Sequence, residues 1–482
     1  MNRLGICLGG AWLLALCMAA LSAFDAHPDE RFHVAAGAYY VDHWLPPRAT
    51  ETDLAASLSR YGFTYLGEID ATDFLAGRLA GLLPANIPEY LRFRAFNLLL
   101  FGILVVVYWR RREPFAPFVL LLLTPQIWYV FSYFNNDALP LFLSLLLVDA
   151  AFGARAPLAD ALTARWRRAA LLPLLSAGVL AGLLVLTKSN YLPVLAFLIF
   201  FAFWQAFGVA AAATGVGTAM IQLARTRSFI TMSAGALHAC LAVGAAATAA
   251  LVAPQLWRSR ATRIQVARGA GIALVALAVF GPPLAYDRAI NGSGPQKAGA
   301  LGVIAETHAA AEFRPSDAGR ADSFFGLRLR DKGVGLHELL LEPWSWPVKT
   351  EQSFTGYYGY MKIRGPVVYY VAIFVVYLLL FGYTSRAVLL RGDRLEKEVL
   401  VVAALFGGGV ILLSLYHSWI NDFQAQGRYL FPVLVLFAIP FTRAGRLFQG
   451  RVVPALLEIA FFLSSLSFVF VGLRKIAKGF AP

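Results

Sequence analysis

The chain reads as an all-α polytopic membrane protein, and three observations predict it. Of its 482 residues 59% are hydrophobic and only 15% charged, whereas a soluble domain averages about 45–50% apolar and roughly 25% charged. Mean hydropathy is +0.63. Apolar runs of about 20 residues, the length that spans a bilayer, recur along the whole chain. Three water-facing domains of this length need more polar surface, and disorder needs low hydrophobicity.

The first run, Leu4–Phe24, follows Arg3. Small residues at Ser22–Ala23 match a signal-peptide end, but the length of the run and the spans after it predict an uncleaved first helix. Further spans are predicted near 91–108, 115–132, 138–153, 169–187, 190–207, 229–253, 269–287, 364–383, 398–416, 430–442 and 452–472. Basic residues mark cytoplasmic loops. Five clusters do so here: Arg110–Arg112, Arg155–Arg168, Arg258–Arg268, Arg386–Lys397 and Arg443–Arg451. An even number of crossings must separate Arg168 from Arg258, which makes the small-residue stretch 208–224 a span. The result is a bundle of about 12–13 transmembrane helices, one transmembrane domain over 1–482, with Arg474–Lys478 against the trend. Two long exterior loops follow, 25–90 and 289–363. Ala-rich tracts such as Ala245–Ala250 read as close helix packing.

The net charge of +14 thus reports topology, and no basic face on a folded domain suggests nucleic acid. Cys7, Cys17 and Cys240 lie in apolar stretches with neither disulfide nor zinc spacing. Walker, HExxH and Gly-x-Ser-x-Gly motifs are absent, so ATP coupling is unsupported.

The informative charges are the exterior ones. The first loop carries ten acidic residues against four basic ones. Its densest part is Asp25-Ala-His-Pro-Asp-Glu-Arg-Phe-His33. Pro28 suits the first position of a helix, with Asp29 and Glu30 in its first turn. Read as structure, this is a capped interfacial helix with Phe32, Val34 and Tyr39–Tyr40 towards lipid. Read as a site, Asp29 and His33 share a helical face and form a general base or a divalent-cation site. Asn135-Asn-Asp137 is turn chemistry, yet it places a second carboxylate, Asp137, on the same side. Lys188, in Thr187-Lys-Ser-Asn-Tyr191, is either a snorkelling cation or a phosphate ligand. Arg428, beside Gln426, Gly427 and Tyr429, is an exterior Arg suited to bidentate phosphate binding or an interfacial anchor. Tyr357 and Tyr358 supply flat faces that suit sugar rings or simply anchor a helix. Glu306, His308 and His337 receive no role.

Pro28-Asp-Glu-x-x-His33, Asn135-Asn-Asp137 with Thr187-Lys188, and Gln426-Gly-Arg-Tyr-Leu-Phe-Pro432 together resemble the GT-C superfamily of membrane glycosyltransferases. The likeness is to bacterial members that include protein mannosyltransferases and the aminoarabinose transferase of lipid A, and it covers the general layout of most of the chain. The resemblance implies a GT-C-like bundle with juxtamembrane helices from loops 25–90 and 289–363. It implies a polyprenyl (undecaprenyl) phosphate sugar donor and a lipid, glycan or protein acceptor on the periplasmic face of a bacterial inner membrane. A first-loop acid is the base: Asp29, with Asp25 or Glu30 as alternatives and His33 and Asp137 beside it. Lys188 and Arg428 bind the donor phosphate. Tyr357, Tyr358, Gln426 and Tyr429 contact substrate. No cofactor is required; a divalent cation (Mg or Mn) is an optional addition, with Asp29 and His33 as its ligands. The alternatives from other classes are a flippase or exporter of envelope lipid-linked sugars and an envelope scaffold. Few charged residues lie within the predicted spans, which counts against transport.

Overall fold

The computed structural model describes residues 3–478 apart from 112, 164–169, 227–232, 318–325 and 449. Arg112, Arg165, Arg167 and Arg168 of the expected cytoplasmic clusters lie outside the described residues. So do parts of loop 289–363 and of the span 229–253.

Eight helices among the described residues are long and apolar enough to cross a membrane: Arg3–Leu21, Glu89–Arg111, Ser189–Phe207, Gly235–Arg258, Arg260–Asn291, Val367–Arg391, Arg394–Ile420 and Val452–Ala477. The chain is a multi-pass, helical membrane protein. Shorter apolar helices occupy Ala138–Phe152, Leu171–Val185 and Val209–Ala219. The expected span 115–132 is not one continuous helix. It is a 3-10 segment, Pro117–Leu122, followed by a helix over Pro125–Ser132. Pro125 forces the break, because Thr124 must be extended before it (φ −139°, ψ 134°) and its side chain accepts from the Gln126 N–H as a cap. Every residue from Ala116 to Leu145 is buried, so this segment is the centre of the bundle.

The helix junctions gather at two ends. At one end Arg111, closing Glu89–Arg111, pairs with Asp149 of Ala138–Phe152 at 2.9 Å. There too Arg446, after Phe431–Arg443, reaches Glu396 at 2.9 Å and Asp393 at 3.3 Å. Asp393 caps Arg394–Ile420 in a reciprocal box with Glu396. This end holds the described residues of the five basic clusters, because each cluster lies in or beside one of these turns. The opposite end holds both long loops. The Ala49 N–H, in the first loop, donates to Asn291 Oδ1 at 2.7 Å, and Arg60 pairs with Glu312 of the second loop at 2.9 Å.

Inside the first loop are helices over Glu30–Asp42 and Ala71–Leu82; inside the second, helices over Gly294–His308 and Trp346–Gly356. A two-stranded antiparallel hairpin, Tyr357–Tyr358 with Ile363–Arg364, departs from the all-helical expectation. The Glu30–Asp42 helix does not turn its apolar face to lipid as expected: Val34 and Tyr40 are buried within the protein. It packs on Ala71–Leu82 so closely that a Cβ on Gly77 would sit 2.5 Å from the Gly37 carbonyl oxygen.

Gly178 and Gly182 of Leu171–Val185 are one turn apart and face Arg260–Asn291. A Cβ on Gly182 would lie 2.7 Å from the Val279 Cβ and 2.8 Å from the Ala276 carbonyl oxygen. Small residues at this spacing let backbones approach closely in a bilayer. Gly182→Val is therefore expected to push the two helices apart and to cost about 1–3 kcal/mol. The check is a lowered thermal unfolding midpoint in detergent; an unchanged midpoint contradicts the close approach.

Candidate functional site

The polar end of the bundle brings together residues from four separate stretches of chain. Asp137 starts the Ala138–Phe152 helix and is completely buried. Lys188 sits in the turn between Leu171–Val185 and Ser189–Phe207, and its Nζ lies 2.8 Å from Asp137 Oδ1. Arg428 stands just before Phe431–Arg443, with Nη1 3.6 Å from Asp137 Oδ2. Its Nε donates to Gln426 Oε1 at 2.8 Å. The Tyr429 ring lies 5.8 Å from Lys188 Nζ and 5.5 Å from the Arg428 guanidinium. Two cations thus flank one buried carboxylate.

Local sequence explains the seating. Asn135 Nδ2 donates to the Val130 and Tyr133 carbonyls at 2.6 and 2.9 Å, and its Oδ1 accepts from the Asp137 N–H. These bonds pin the turn that aims Asp137. Arg428 is set by Gly427, whose N–H donates to Ser353 Oγ at 2.8 Å. A Cβ there would fall 2.1 Å from the Phe354 nitrogen, so only glycine fits.

Asp29 faces this cluster from the first loop. It is not in the first turn of its helix, as Pro28 suggested. The helix begins at Glu30, and Asp29 is the N-cap in left-handed conformation (φ 58°, ψ 10°) with no side-chain capping bond. Asp25 is left-handed as well, at φ 60°. Such conformations are uncommon outside glycine but accessible to Asp. Here they fold residues 25–29 into a tight double turn and leave the Asp29 carboxylate off its own helix. Its charge acts on the Tyr65 phenol and, more weakly, on Arg428. Burial first, and Asp29 second, raise the Tyr65 phenol far above its ordinary range, so it stays protonated and able to donate.

His33 lies behind this face, its ring 4.0 Å from that of Tyr65. Burial, reinforced by Lys188 and Arg428, holds its imidazole well below the usual range. It is neutral at pH 7, and its Nδ1 has no hydrogen-bond partner. Asp29 and His33 therefore meet through Tyr65 and not on one helical face. Among the described residues no group of three or more His, Cys, Asp or Glu side chains is placed to hold a metal ion.

The remaining expected residues lie elsewhere. Glu30 is completely buried in an ion pair with Arg94: Nε–Oε1 is 2.6 Å and Nη2–Oε2 is 2.8 Å. The Asp25 N–H donates to Oε2 as well, at 3.1 Å. Both oxygens are committed, and Glu30 does not face Asp137. Asp25 Oδ1 accepts from the Tyr360 hydroxyl at 2.8 Å, which ties the first loop to the hairpin. Tyr358 is completely buried, its hydroxyl 3.2 Å from Ser467 Oγ and its ring against Phe468 and Gly472. Tyr357 is buried and donates through its backbone N–H to Gln126 Oε1 at 3.1 Å. These two tyrosines form part of the core, with no contact to the Asp137 cluster.

Four residues near the site were not singled out by sequence: Tyr65, Asp70, Asp73 and Arg94. Asp73 carried a readable signal. It lies one turn before Ala76, Gly77 and Ala80 on the buried small-residue face of its helix, where a carboxylate is out of place. Arg94 sits near the start of a predicted span, equally compatible with snorkelling.

No protein-family model matches this chain, and neither a curated protein nor a solved structure matches it.

Proposed function

We propose that the protein is a glycosyltransferase that moves a sugar from a polyprenyl phosphate to an acceptor hydroxyl. What carries this reading is the convergence of Asp137, Lys188 and Arg428, next to the half-buried carboxylate Asp29, at one end of a bundle of membrane-length helices. A lipid donor needs its tail in the bilayer and its headgroup at the helix ends. The two cations suit a phosphate, with Lys188 as a point charge and Arg428 as a fork.

In the reaction the acceptor oxygen attacks the anomeric carbon while the bond from that carbon to the phosphate oxygen breaks. The bonding pair leaves on the polyprenyl phosphate, whose charge Lys188 and Arg428 stabilise. Asp29 takes the acceptor's proton. One displacement inverts the anomeric centre. The described helices are read as about 13 crossings, short and broken ones included. The basic end is cytoplasmic by the positive-inside rule, and the site faces the periplasm of a bacterial inner membrane.

Lys188→Gln tests the phosphate role, because Asp137 keeps Arg428 as a partner. Affinity for a polyprenyl phosphate in detergent is expected to fall about ten-fold, the loss of one charge-assisted bond. Unchanged affinity in a folded variant rules out Lys188 as a phosphate ligand.

A further inference from the structure

A second pair of carboxylates stands directly behind the cation cluster. Asp70 caps Ala71–Leu82, its Oδ1 accepting from the Thr72 N–H at 2.7 Å. Asp73 follows one turn later, completely buried. One amide nitrogen bridges them: Asn136 Nδ2 donates to Asp70 Oδ2 at 2.9 Å and to Asp73 Oδ2 at 3.1 Å. Asn136 directly precedes Asp137. The same segment is tied to the lysine turn, because the Ala71 N–H donates to the Leu186 carbonyl at 2.8 Å, two residues before Lys188. The other Asp73 oxygen, Oδ1, is buried with no hydrogen-bond partner.

We propose that Asp70 and Asp73 are a positioning pair for the Lys188–Asp137–Arg428 cluster, and that the charge on the pair sets how strongly the cluster holds a phosphate ester. This inference rests on the phosphate-binding reading above. The physical argument starts from crowding. A buried and a half-buried carboxylate on one amide cannot both ionise without strong repulsion, and buried polar atoms left unpaired are rare. Burial raises the Asp70 carboxyl to about 6, with Thr72, Lys188 and Asn136 opposing. Burial and then the Asp70 charge raise Asp73 well above its ordinary range. The two therefore titrate as a unit above the ordinary carboxylate range.

The surrounding groups do not compete for this role. On Glu30–Asp42, Tyr40 faces the pair and is held protonated, by burial first, while His33 beside Asn136 stays neutral. On Glu89–Arg111, Arg94 is committed to Glu30 and Arg92 Nη1 to the Ala80 carbonyl. Asp287 acts on Tyr40 from farther away and is paired with Lys297 at 2.7 Å. Lys188 is the cation that acts on both members of the pair. Below the pair's titration the carboxyls are neutral, and Lys188 is left to an anion without opposition from behind. As pH rises through it, a negative charge appears behind Lys188 and anion affinity falls.

The test uses the full chain in detergent and an alkyl methyl phosphodiester as probe, whose single charge does not change in the range studied. In the wild type, affinity is expected to drop about ten-fold between about pH 5 and about pH 8, the effect of one added charge at this range. In the double variant Asp70→Asn/Asp73→Asn neither side chain can titrate. The drop disappears, and binding at high pH matches that of the wild type at low pH. In either single variant the remaining carboxyl ionises without repulsion from its partner, so the drop moves to lower pH. A double variant that keeps the wild-type pH profile overturns the positioning role and leaves the phosphate site standing. Absence of probe binding in the wild type, or binding indifferent to Lys188→Gln, overturns both. Failure of the double variant to fold, read by thermal unfolding, also overturns the proposal and makes the pair purely structural.

Discussion

Asp29→Asn is expected to lower sugar transfer by about 10²–10⁴-fold, the usual contribution of a positioned general base, while donor binding stays within about two-fold of wild type. The asymmetry follows from position. Asp29 is the half-buried carboxylate beside Tyr65, and its charge faces Arg428. It makes no capping bond that the substitution would break. Asn is nearly isosteric and tolerates the left-handed backbone at φ 58°. What it cannot do is take a proton. The measurement is single-turnover transfer with a polyprenyl-phosphate-linked sugar, alongside donor binding in the same membranes. Full transfer by the variant sinks Asp29 as base. Lost donor binding moves Asp29 from proton transfer to donor recognition.

The largest effect on stability is expected at Arg94. Besides gripping Glu30 with Nε and Nη2, Arg94 donates from Nη1 to the Ala19 and Ser22 carbonyls at 2.7 and 2.8 Å, and from Nη2 to the Ala23 carbonyl at 2.9 Å. One side chain thus satisfies the open carbonyls at the end of Arg3–Leu21 and neutralises a completely buried carboxylate. Arg94→Ala leaves both unpaired and is expected to cost about 3–5 kcal/mol, read as a fall in the thermal midpoint and in yield from membranes. Arg94→Ala with Glu30→Gln removes the lone charge and is expected to recover part of the loss, a coupling that a double-mutant cycle measures. Equal stability of the single and double variants means the pair is not a unit. In this way Glu30, adjacent in sequence to Asp29, is assigned to holding the first loop on the bundle.

Much of this was legible in the residues. Hydropathy marked the long helices, and Pro, Gly and charged residues marked their ends. Asp393 and Glu396 announce a capping box, and Arg110 and Arg111 close a helix where the macrodipole favours cations. The acids of the first loop and the exterior Lys188 and Arg428 were recognisable because each contradicts its surroundings. Several details were not readable. Nothing local distinguishes Asp29 from Glu30; what commits Glu30 to structure is Arg94, 64 residues away in the chain. Tyr357 and Tyr358 look like interfacial aromatics, yet Tyr358 is buried against the widened turn of Ser467–Leu473. The segment 115–132 has the composition of a span but is enclosed by other helices, and composition alone does not tell a lipid face from a protein face.

The sequence by itself determined that this is a helical membrane protein, roughly where its long helices lie, and which charges are out of place. These properties depend on transfer of short segments between water and hydrocarbon, which each segment carries in its own side chains. Only the tertiary structure decided which of those charges meet. Asp137 finds Lys188 and Arg428, and Asn136 finds Asp70 and Asp73, because helix packing fixes distances of about 3 Å between residues up to 291 positions apart. Hydrogen bonds and close ion pairs form only at separations of a few ångströms. The site's chemistry therefore belongs to the packing and not to the order of residues.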